Sequence, residues 1–274
     1  MEGSQRRQLL VSKGWIQAVV LVVLCGFFIL GLLAYRTYMA HPPVPKRVAD
    51  QQGRLLYTGK DIQAGQQVFL HNGLMEYGSA FGHGAYLGPD FTADYLRRAA
   101  DLVKRSYGGA ASDSAARRTI EDFRTNRYDK HTKTLTLTAP QAQAFRALVA
   151  HYSGFFSDPK TEHGLRPNAI SDRTQLRQLT AFFAWTAWAA STNRPGHDYS
   201  YTNNWPPEPR VENQPTANVI VWSVLSLIAP LRGIGILFGA FGRWGRRLGW
   251  HGREQATLSL RSPATSGQCP YRGS

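Results

Sequence analysis

Residues 15–35, WIQAVVLVVLCGFFILGLLAY, form an apolar run without a single charged side chain. At about 1.5 Å of rise per residue, a helix over this run can cross the roughly 30 Å hydrocarbon core of a bilayer. A second run, residues 219–241, is also long enough, although it contains Pro230 and Arg232. The sequence therefore predicts two transmembrane helices, at 14–38 and 218–243, with a separate domain between them.

Arg232 is the unusual residue of the second run. A lone basic side chain near the middle of a membrane helix costs about 2.5–3.5 kcal/mol on insertion scales, and Pro230 adds a kink. Two interpretations stay open. Arg232 either pairs with a carboxylate or propionate inside a helix bundle, or it is a tolerated defect or damage in a truncated sequence.

The net charge of +14 is unevenly distributed along the chain. Residues 45–217 hold 21 Lys and Arg against 16 Asp and Glu, whereas the two flanks hold 11 basic and 2 acidic residues. Basic residues close to the outer ends of both runs predict cytoplasmic termini and an extracytoplasmic middle domain. The charge thus follows membrane topology, and binding of nucleic acid is not expected. The flanking residues concerned are Arg6, Arg7, Lys13, Arg243, Arg246, Arg247 and Arg253.

A cleaved signal peptide is the other interpretation of the N-terminus. The first run exceeds the usual apolar region of about 7–15 residues in such peptides. The nearest small residue, Ala40, follows bulky Tyr38 by two positions, which is a poor cleavage pattern. We therefore expect an uncleaved anchor. The two cysteines, Cys25 and Cys269, lie outside the middle domain and cannot crosslink it.

The middle domain has the sequence signals of a mainly helical fold. Residues 58–61 have the spacing of a capping box that opens a helix toward Phe69. Thr92 and Ser171 are predicted to begin two further helices with apolar residues at helical spacing, and Pro140 stands at the start of another. Residues 132–138 alternate threonine with apolar residues and predict one short strand.

Motifs for catalysis or haem attachment are missing from the sequence. No Cys-x-x-Cys-His occurs, and no two histidines stand three or four residues apart on a predicted helix. Four histidines of the middle domain are predicted at helix ends or in loops. They are His71, His83, His151 and His197. Residues 78–88 are rich in glycine. This segment is either a tight irregular loop or one whose backbone carbonyls face a hard cation.

Three segments resemble the beginning of quinol-dependent nitric oxide reductases. They are GLMEYGS at 73–79 with GHGAYLGPDFTADY at 82–95, YSYTNNWP at 199–206, and WSVLS at 222–226 leading to FGRWG at 241–245. The resemblance implies a mainly α fold in which two transmembrane helices flank an extracytoplasmic, haem-free, cytochrome c-like helical domain. On this basis we assign 39–217 to that domain, 1–13 to a cytoplasmic N-terminal tail and 244–274 to a cytoplasmic C-terminal tail.

In this family the domain is fused to a catalytic core in the inner (cytoplasmic) membrane of bacteria. The core binds haem b, haem b3 and a non-haem iron, and it reduces nitric oxide to nitrous oxide with electrons from quinol, in denitrification or nitric oxide detoxification. The implied partners are therefore membrane lipid, the catalytic core and, for the whole enzyme, quinol.

The resemblance also bears on two possible ligand sites. In related cytochrome-bearing subunits, a Cys-x-x-Cys-His motif ends eight residues before the tyrosine of the Gly-Ala-Tyr string. Here that stretch is residues 74–78, LMEYG, without cysteine or histidine. The Gly-Ala-Tyr segment of the relatives supplies backbone oxygens to a calcium ion. Carried over, this implies Gly84 and Tyr86 as calcium ligands, with the other ligands on the core.

The departures from the family limit what this chain is expected to do. The haem ligands, iron ligands and pore carboxylates of the family lie beyond its second transmembrane helix, and residues from about Ala264 no longer resemble it. We therefore expect an N-terminal fragment that has no catalytic or cofactor-binding residues of its own and is inactive alone. The alternative is a two-span membrane sensor with an extracytoplasmic ligand-binding domain, which needs a cytoplasmic output module.

Overall fold

The computed structural model describes residues 13–109, 112–157 and 164–244. This part of the chain is mainly helical, with one small sheet. In chain order the elements are α1 (Lys13–Ala40), β1 (Arg47–Asp50), β2 (Leu55–Thr58), α2 (Gly59–His71), α3 (Leu74–Tyr77), α4 (Phe91–Ser106), α5 (Asp113–Arg124), β3 (Tyr128–Asp129), β4 (Thr134–Leu137), α6 (Ala139–Ser157), α7 (Arg173–Ser191), a short 3-10 helix (Pro209–Val211) and α8 (Ala217–Trp244).

Two of the helices are long and apolar enough to cross a membrane. They are α1, through Val19–Met39, and α8, through Ala217–Ile236. The side chains of both windows are exposed, as those of lipid-facing helices are. Within α8 the helix continues through Pro230, and Arg232 is exposed. Residues 1–12 and 245–274, which include most of both predicted tails and Cys269, lie outside the described residues.

Local sequence signals account for the starts of four domain helices. The predicted capping box of α2 is present, because the Thr58 side chain accepts from the Asp61 backbone and the Asp61 carboxylate accepts from Thr58 N. α6 begins at Ala139, beside the predicted Pro140. The predicted caps of α4 and α7 were wrong by one or two residues. Asp90 caps α4 instead of Thr92, and Asp172 caps α7 instead of Ser171.

The sheet has four strands in the order β2-β1-β4-β3. β4 lies within the predicted strand 132–138, whereas the other three strands were not predicted from the sequence. β1 and β4 run parallel, with Val48 opposite Leu135 in the register, and helices α2 to α5 form the connection between them. Val48 and Leu135 are buried, so the sheet closes one side of the helical core.

The core of the domain lies between α2, α4, α6 and α7. These helices carry most of its fully buried large side chains, which are Phe91, Leu96, Val103, Phe145, Leu148, Tyr152, Phe156, Leu176, Leu179 and Phe183. Their apolar positions recur every three or four residues, which is the spacing that places them on one helix face. α5, which was not predicted, packs at the edge of this core through Ala115 and Phe123.

Candidate functional site

The glycine-rich segment folds as a loop around the carboxylate of Asp90. Asp90 Oδ2 accepts hydrogen bonds from Ser79 Oγ and Gly82 N, both at 2.8 Å, and Oδ1 accepts from Ala93 N at 2.8 Å. Ser79 Oγ in turn accepts from Gly84 N at 2.7 Å. The same carboxylate therefore caps α4 and fixes the loop, which explains why Asp90 and not Thr92 begins the helix.

Thr92 has a different role from the predicted cap. Its side chain is completely buried, and Thr92 Oγ1 accepts a hydrogen bond from Phe81 N at 3.0 Å. It therefore ties the first half of the loop to α4. Thr92 thus holds the loop against the first turn of α4.

The outer part of the loop exposes Gly84 and Tyr86, the two residues implied as calcium ligands. Gly84 has a φ of +86°, a left-handed conformation that glycine adopts without steric cost. Ala85 N donates to Gly88 O at 3.0 Å and closes the turn, and Tyr86 is 105 % exposed. No described residue donates a hydrogen bond to the carbonyl oxygen of Gly84 or of Tyr86.

Free backbone carbonyls are hard oxygen ligands of the type that calcium binds, but calcium takes about six to eight of them. Asp90, the nearest carboxylate of the loop, already accepts three hydrogen bonds. The described residues contain no group of three or more His, Cys, Asp and Glu side chains that could hold a metal ion. The described residues alone therefore do not complete a calcium site, and the loop offers only the backbone carbonyl oxygens of Gly84 and Tyr86.

A loop rich in aromatic residues, within 192–215, precedes the second apolar helix and contacts the glycine-rich loop. Trp205 Nε1 donates to Gly82 O at 3.0 Å, and the Trp205 ring lies 4.5 Å from that of His83. Tyr201 packs on Trp188, with ring centroids 5.6 Å apart. Two of the segments that carry the family resemblance are thus in direct contact, a relation that sequence spacing did not predict.

Tightly packed aromatic rings fill the interior next to this loop. Phe91 stacks on Phe183 with ring centroids 4.6 Å apart and planes 2° from parallel. Tyr152 contacts Phe183 at 5.2 Å, and Phe156 contacts Phe91 at 5.8 Å. Two cavities elsewhere in the described domain measure about 30 and 190 Å³. Both are smaller than the roughly 300–1,000 Å³ of ordinary cofactor and ligand pockets.

Residues 74–78 are the stretch at which the resemblance implies the haem attachment motif of the cytochrome-bearing relatives. Leu74 and Tyr77, at the two cysteine positions of the cytochrome-bearing relatives, are buried in the aromatic core. Gly78 stands at the histidine position. A Cβ added there would lie 2.5 Å from Pro89 O and 2.8 Å from the Phe91 ring, so no side chain fits. The residues present do not fit a covalently attached haem.

The histidines do not assemble into a site within the described residues. His71, His83 and His197 are exposed, at the end of α2 or in loops, as predicted. The prediction was wrong for His151, which lies inside α6 and is half-buried. Its Nε2 is buried and has no hydrogen-bond partner. Burial lowers the pKa of His151, and the charge of Arg98 lowers it further, against the opposite effect of Asp94.

Comparison with known proteins agrees with this description of the domain. Residues 45–207 match the family model of the NorB cytochrome c-like domain of nitric oxide reductase. No curated protein matches the sequence. The match covers the sheet, the helical core and both contacting loops; in the chain, α1 precedes it and α8 follows it. This membrane chain therefore belongs to the NorB family of nitric oxide reductases and carries its cytochrome c-like domain.

Proposed function

We propose that the chain is the membrane-anchored N-terminal part of a quinol-dependent nitric oxide reductase. In this proposal the cytochrome c-like domain is haem-free and docks on the catalytic core, and it carries no electrons itself. The domain lies on the periplasmic side of the bacterial inner membrane, with both termini in the cytoplasm. The family match supports the enzyme class, and the basic residues outside both apolar runs support the orientation.

The observation that carries the proposal is the close contact at Gly78. A redox domain needs a haem ligand at this position, and the backbone of Pro89 and the ring of Phe91 leave no room for one. Aromatic side chains fill the interior of its helical core. Such a domain serves as a fixed structural module, so quinol electrons reach the haems of the core without passing through it.

The exposed loop supplies the docking element. Tyr86 and Leu87 project from the domain, 105 % and 53 % exposed, beside the free carbonyls of Gly84 and Tyr86. Both side chains are available for contact with another protein surface. We propose that these carbonyls, together with ligands on the core, hold a calcium ion that links the two parts.

The sensor alternative gains no support from the interior. A ligand-binding domain needs an enclosed pocket of a few hundred Å³. The cavity between Tyr57 and Trp188 measures about 30 Å³, and the shallow one beside Arg146 and Arg177 about 190 Å³. The proposal that the domain docks on a catalytic core therefore accounts for more of the structure than the sensor alternative does.

A complementation experiment tests the proposal. The chain is co-expressed with the core of a nitric oxide reductase of this family in a bacterium that lacks its own enzyme. We expect the tagged chain to co-purify with the core, and quinol-dependent nitric oxide consumption to require both. We expect no nitric oxide consumption from the chain alone, because neither of its apolar runs contains a histidine that could bind haem.

Two variants make this experiment specific to the loop. Tyr86→Ala is expected to weaken co-purification, and a calcium chelator is expected to do the same to the unaltered chain. His197→Ala, in another exposed loop, is the matched control and should leave co-purification unchanged. Co-purification that survives both Tyr86→Ala and chelation would contradict the role of the loop, and a chain that binds no core would contradict the proposal itself.

A further inference from the structure

One end of the four-stranded sheet carries a concentration of basic side chains. The parallel strands β1 and β4 both begin at this end, and the antiparallel strands β2 and β3 both end there. Each strand, or the turn or helix next to it, contributes at least one exposed basic residue. We call these residues the sheet-end patch, and they are Lys46, Lys60, Lys130, His131 and Lys133. The Arg47 side chain is not a member, because its guanidinium donates to Gly53 O in the turn at the other end of β1 and β2.

Backbone hydrogen bonds fix the members of the patch relative to one another. Lys133 O accepts from Lys46 N at 2.8 Å and from Arg47 N at 3.4 Å. Gly59 N donates to Lys46 O at 3.2 Å, which brings the start of α2 and Lys60 to the same edge. The positive charges are therefore held together by the sheet and are not spread over a flexible segment.

Neighbouring acidic groups compensate only part of this charge. Asp61 is engaged by Thr58 in the capping box of α2. Asp129 accepts from His131 N at 2.8 Å and from Thr132 Oγ1 at 2.7 Å. Within the described part of the chain, no patch residue forms an ion pair. Four lysine side chains thus stand beside two carboxylates, which keep their negative charge in these hydrogen bonds, so positive charge is in excess in the patch.

The chain connection places the patch next to the membrane. The apolar window of α1 ends at Met39, and the helix itself ends at Ala40. The six residues from there to Lys46 reach at most about 20 Å even when fully extended. This linker is also attached to the domain, because Trp185 Nε1 donates to Pro43 O at 3.1 Å. The end of the sheet therefore cannot move far from the lipid headgroups.

We propose that the sheet-end patch binds anionic phospholipid headgroups of the membrane that anchors α1. Basic clusters beside a transmembrane helix are attracted to anionic lipid surfaces, and lysine is the main member here. Lysine is depleted in the cores of protein–protein interfaces, so the composition favours a lipid surface over a protein partner. The contact sets how the domain stands on the membrane, and it is independent of nitric oxide chemistry.

The test uses the full chain in lipid nanodiscs. Cys25 and Cys269 are replaced by alanine, and a fluorophore is attached at Thr132→Cys, in the turn between Lys130 and Lys133. Lipids with a nitroxide on the headgroup quench the fluorophore when the patch touches the membrane. We expect stronger quenching when phosphatidylcholine is mixed with anionic phosphatidylglycerol, and a loss of that increase at high salt, because salt screens exposed charges.

Two charge-matched triple variants identify the surface responsible. Lys46→Gln, Lys60→Gln and Lys133→Gln together remove three charges from the patch. Lys104→Gln, Arg105→Gln and Arg117→Gln remove three from α4 and α5. We expect the first set to lower the ratio of membrane-bound to free patch by about fivefold per lysine, and the second set to leave quenching unchanged. Circular dichroism confirms that both triple variants are folded.

Three results would overturn the proposal. The first is quenching that does not depend on the anionic lipid. The second is an equal loss of quenching in both triple variants, which would assign the effect to overall charge. The third is a fluorophore that responds to the catalytic core in neutral nanodiscs but not to anionic lipid, which would assign the patch to a protein partner. None of these results bears on whether the chain co-purifies with a core, so the two proposals fail separately.

Discussion

Tyr86 and Phe91 stand close together in the chain, yet Phe91 is completely buried whereas Tyr86 is fully exposed. Phe91 stacks against Phe183 in the interior, where five further aromatic rings lie within about 6.5 Å of it. Tyr86 sits at the tip of a loop whose backbone is fixed by Asp90 and Trp205. The interior is thus closed by packed aromatic rings, whereas the loop keeps an aromatic side chain in solvent.

Truncation of the stacked pair should have the largest effect on stability. Phe183→Ala removes a side chain that is 0 % exposed and leaves a cavity against Phe91 and Tyr152. We expect the free energy of unfolding to fall by about 3–5 kcal/mol. Chemical denaturation of the full chain in detergent, followed by near-ultraviolet circular dichroism, measures this change.

The loop provides the control for that measurement. Tyr86→Ala removes a larger side chain, but one that makes no buried contact, so stability should change by less than about 0.5 kcal/mol. Equal losses of unfolding free energy in Phe183→Ala and Tyr86→Ala would contradict the distinction between the filled interior and the exposed loop tip.

The second prediction concerns the point where interior and loop meet. Gly78→Ala brings a Cβ to 2.5 Å from Pro89 O, a backbone atom that cannot move without shifting the loop. We expect a loss of up to about 3 kcal/mol in the free energy of unfolding. Gly154→Ala is the matched control, since no atom lies within 4 Å of the added Cβ on α6. It should raise stability by as much as about 1 kcal/mol.

The outcome at Gly78 decides more than stability. If Gly78→Ala were neutral, the packing at the position of the haem-binding histidine would be adjustable. The argument that the domain has no room for a haem ligand would then fail, while the family assignment would stand.

Sequence signals predicted the parts of this domain that depend on neighbouring residues. The capping box at Thr58 and the proline start at Pro140 were found because the residues that form them are adjacent in the chain. The strands β1 and β2 were missed because each has only four residues, and β1 is in addition fixed by pairing with the distant strand β4. Helix α5 was missed too, since its exposed face is strongly polar.

The candidate site shows the same limit. Its residues were located by resemblance, at Gly84 and Tyr86, but their arrangement depends on contacts across the fold. Asp90 takes the cap position from Thr92 because its carboxylate also binds Ser79 and Gly82. Spacing alone carries no sign of the contact between Trp205 and Gly82, which are joined only in the folded domain.

The third prediction concerns polar contacts between α5 and a loop, and not the aromatic packing of the interior. Arg124 ends α5, and its guanidinium donates to Asn204 Oδ1 at 2.9 Å, Asn213 Oδ1 at 3.3 Å and Asp198 O at 2.6 Å. Asn204 and Asn213 are buried. Arg124→Met leaves their oxygens without this donor, which we expect to cost about 1–2 kcal/mol.

Hydrogen exchange locates the consequence of that change. Faster exchange should appear in residues 198–214, the loop that Arg124 holds, while α4 and α7 keep their protection. Arg117→Met, on the exposed face of the same helix, should have neither effect. Faster exchange throughout the domain would mean that this loop does not open separately from the core.

The smallest effect is expected at His151, which borders the aromatic interior from α6. Its ring contacts Tyr152 at 5.0 Å, and the neighbouring charges on α4 are Arg98 and Asp94. Burial, and then Arg98, lower the pKa of His151 in the folded domain. The unfolded chain takes up the proton near pH 6.5, so below that pH it binds more protons at this residue than the folded domain does. The free energy of unfolding therefore falls as the pH drops through this window.

His151→Phe keeps an aromatic ring and removes the titration, so its stability should change less between about pH 7 and pH 5 than that of the unaltered chain. Parallel stability curves for the two proteins would show that the interior tolerates a charged imidazole, and that the filled core is less closed at α6 than at the Phe91–Phe183 stack.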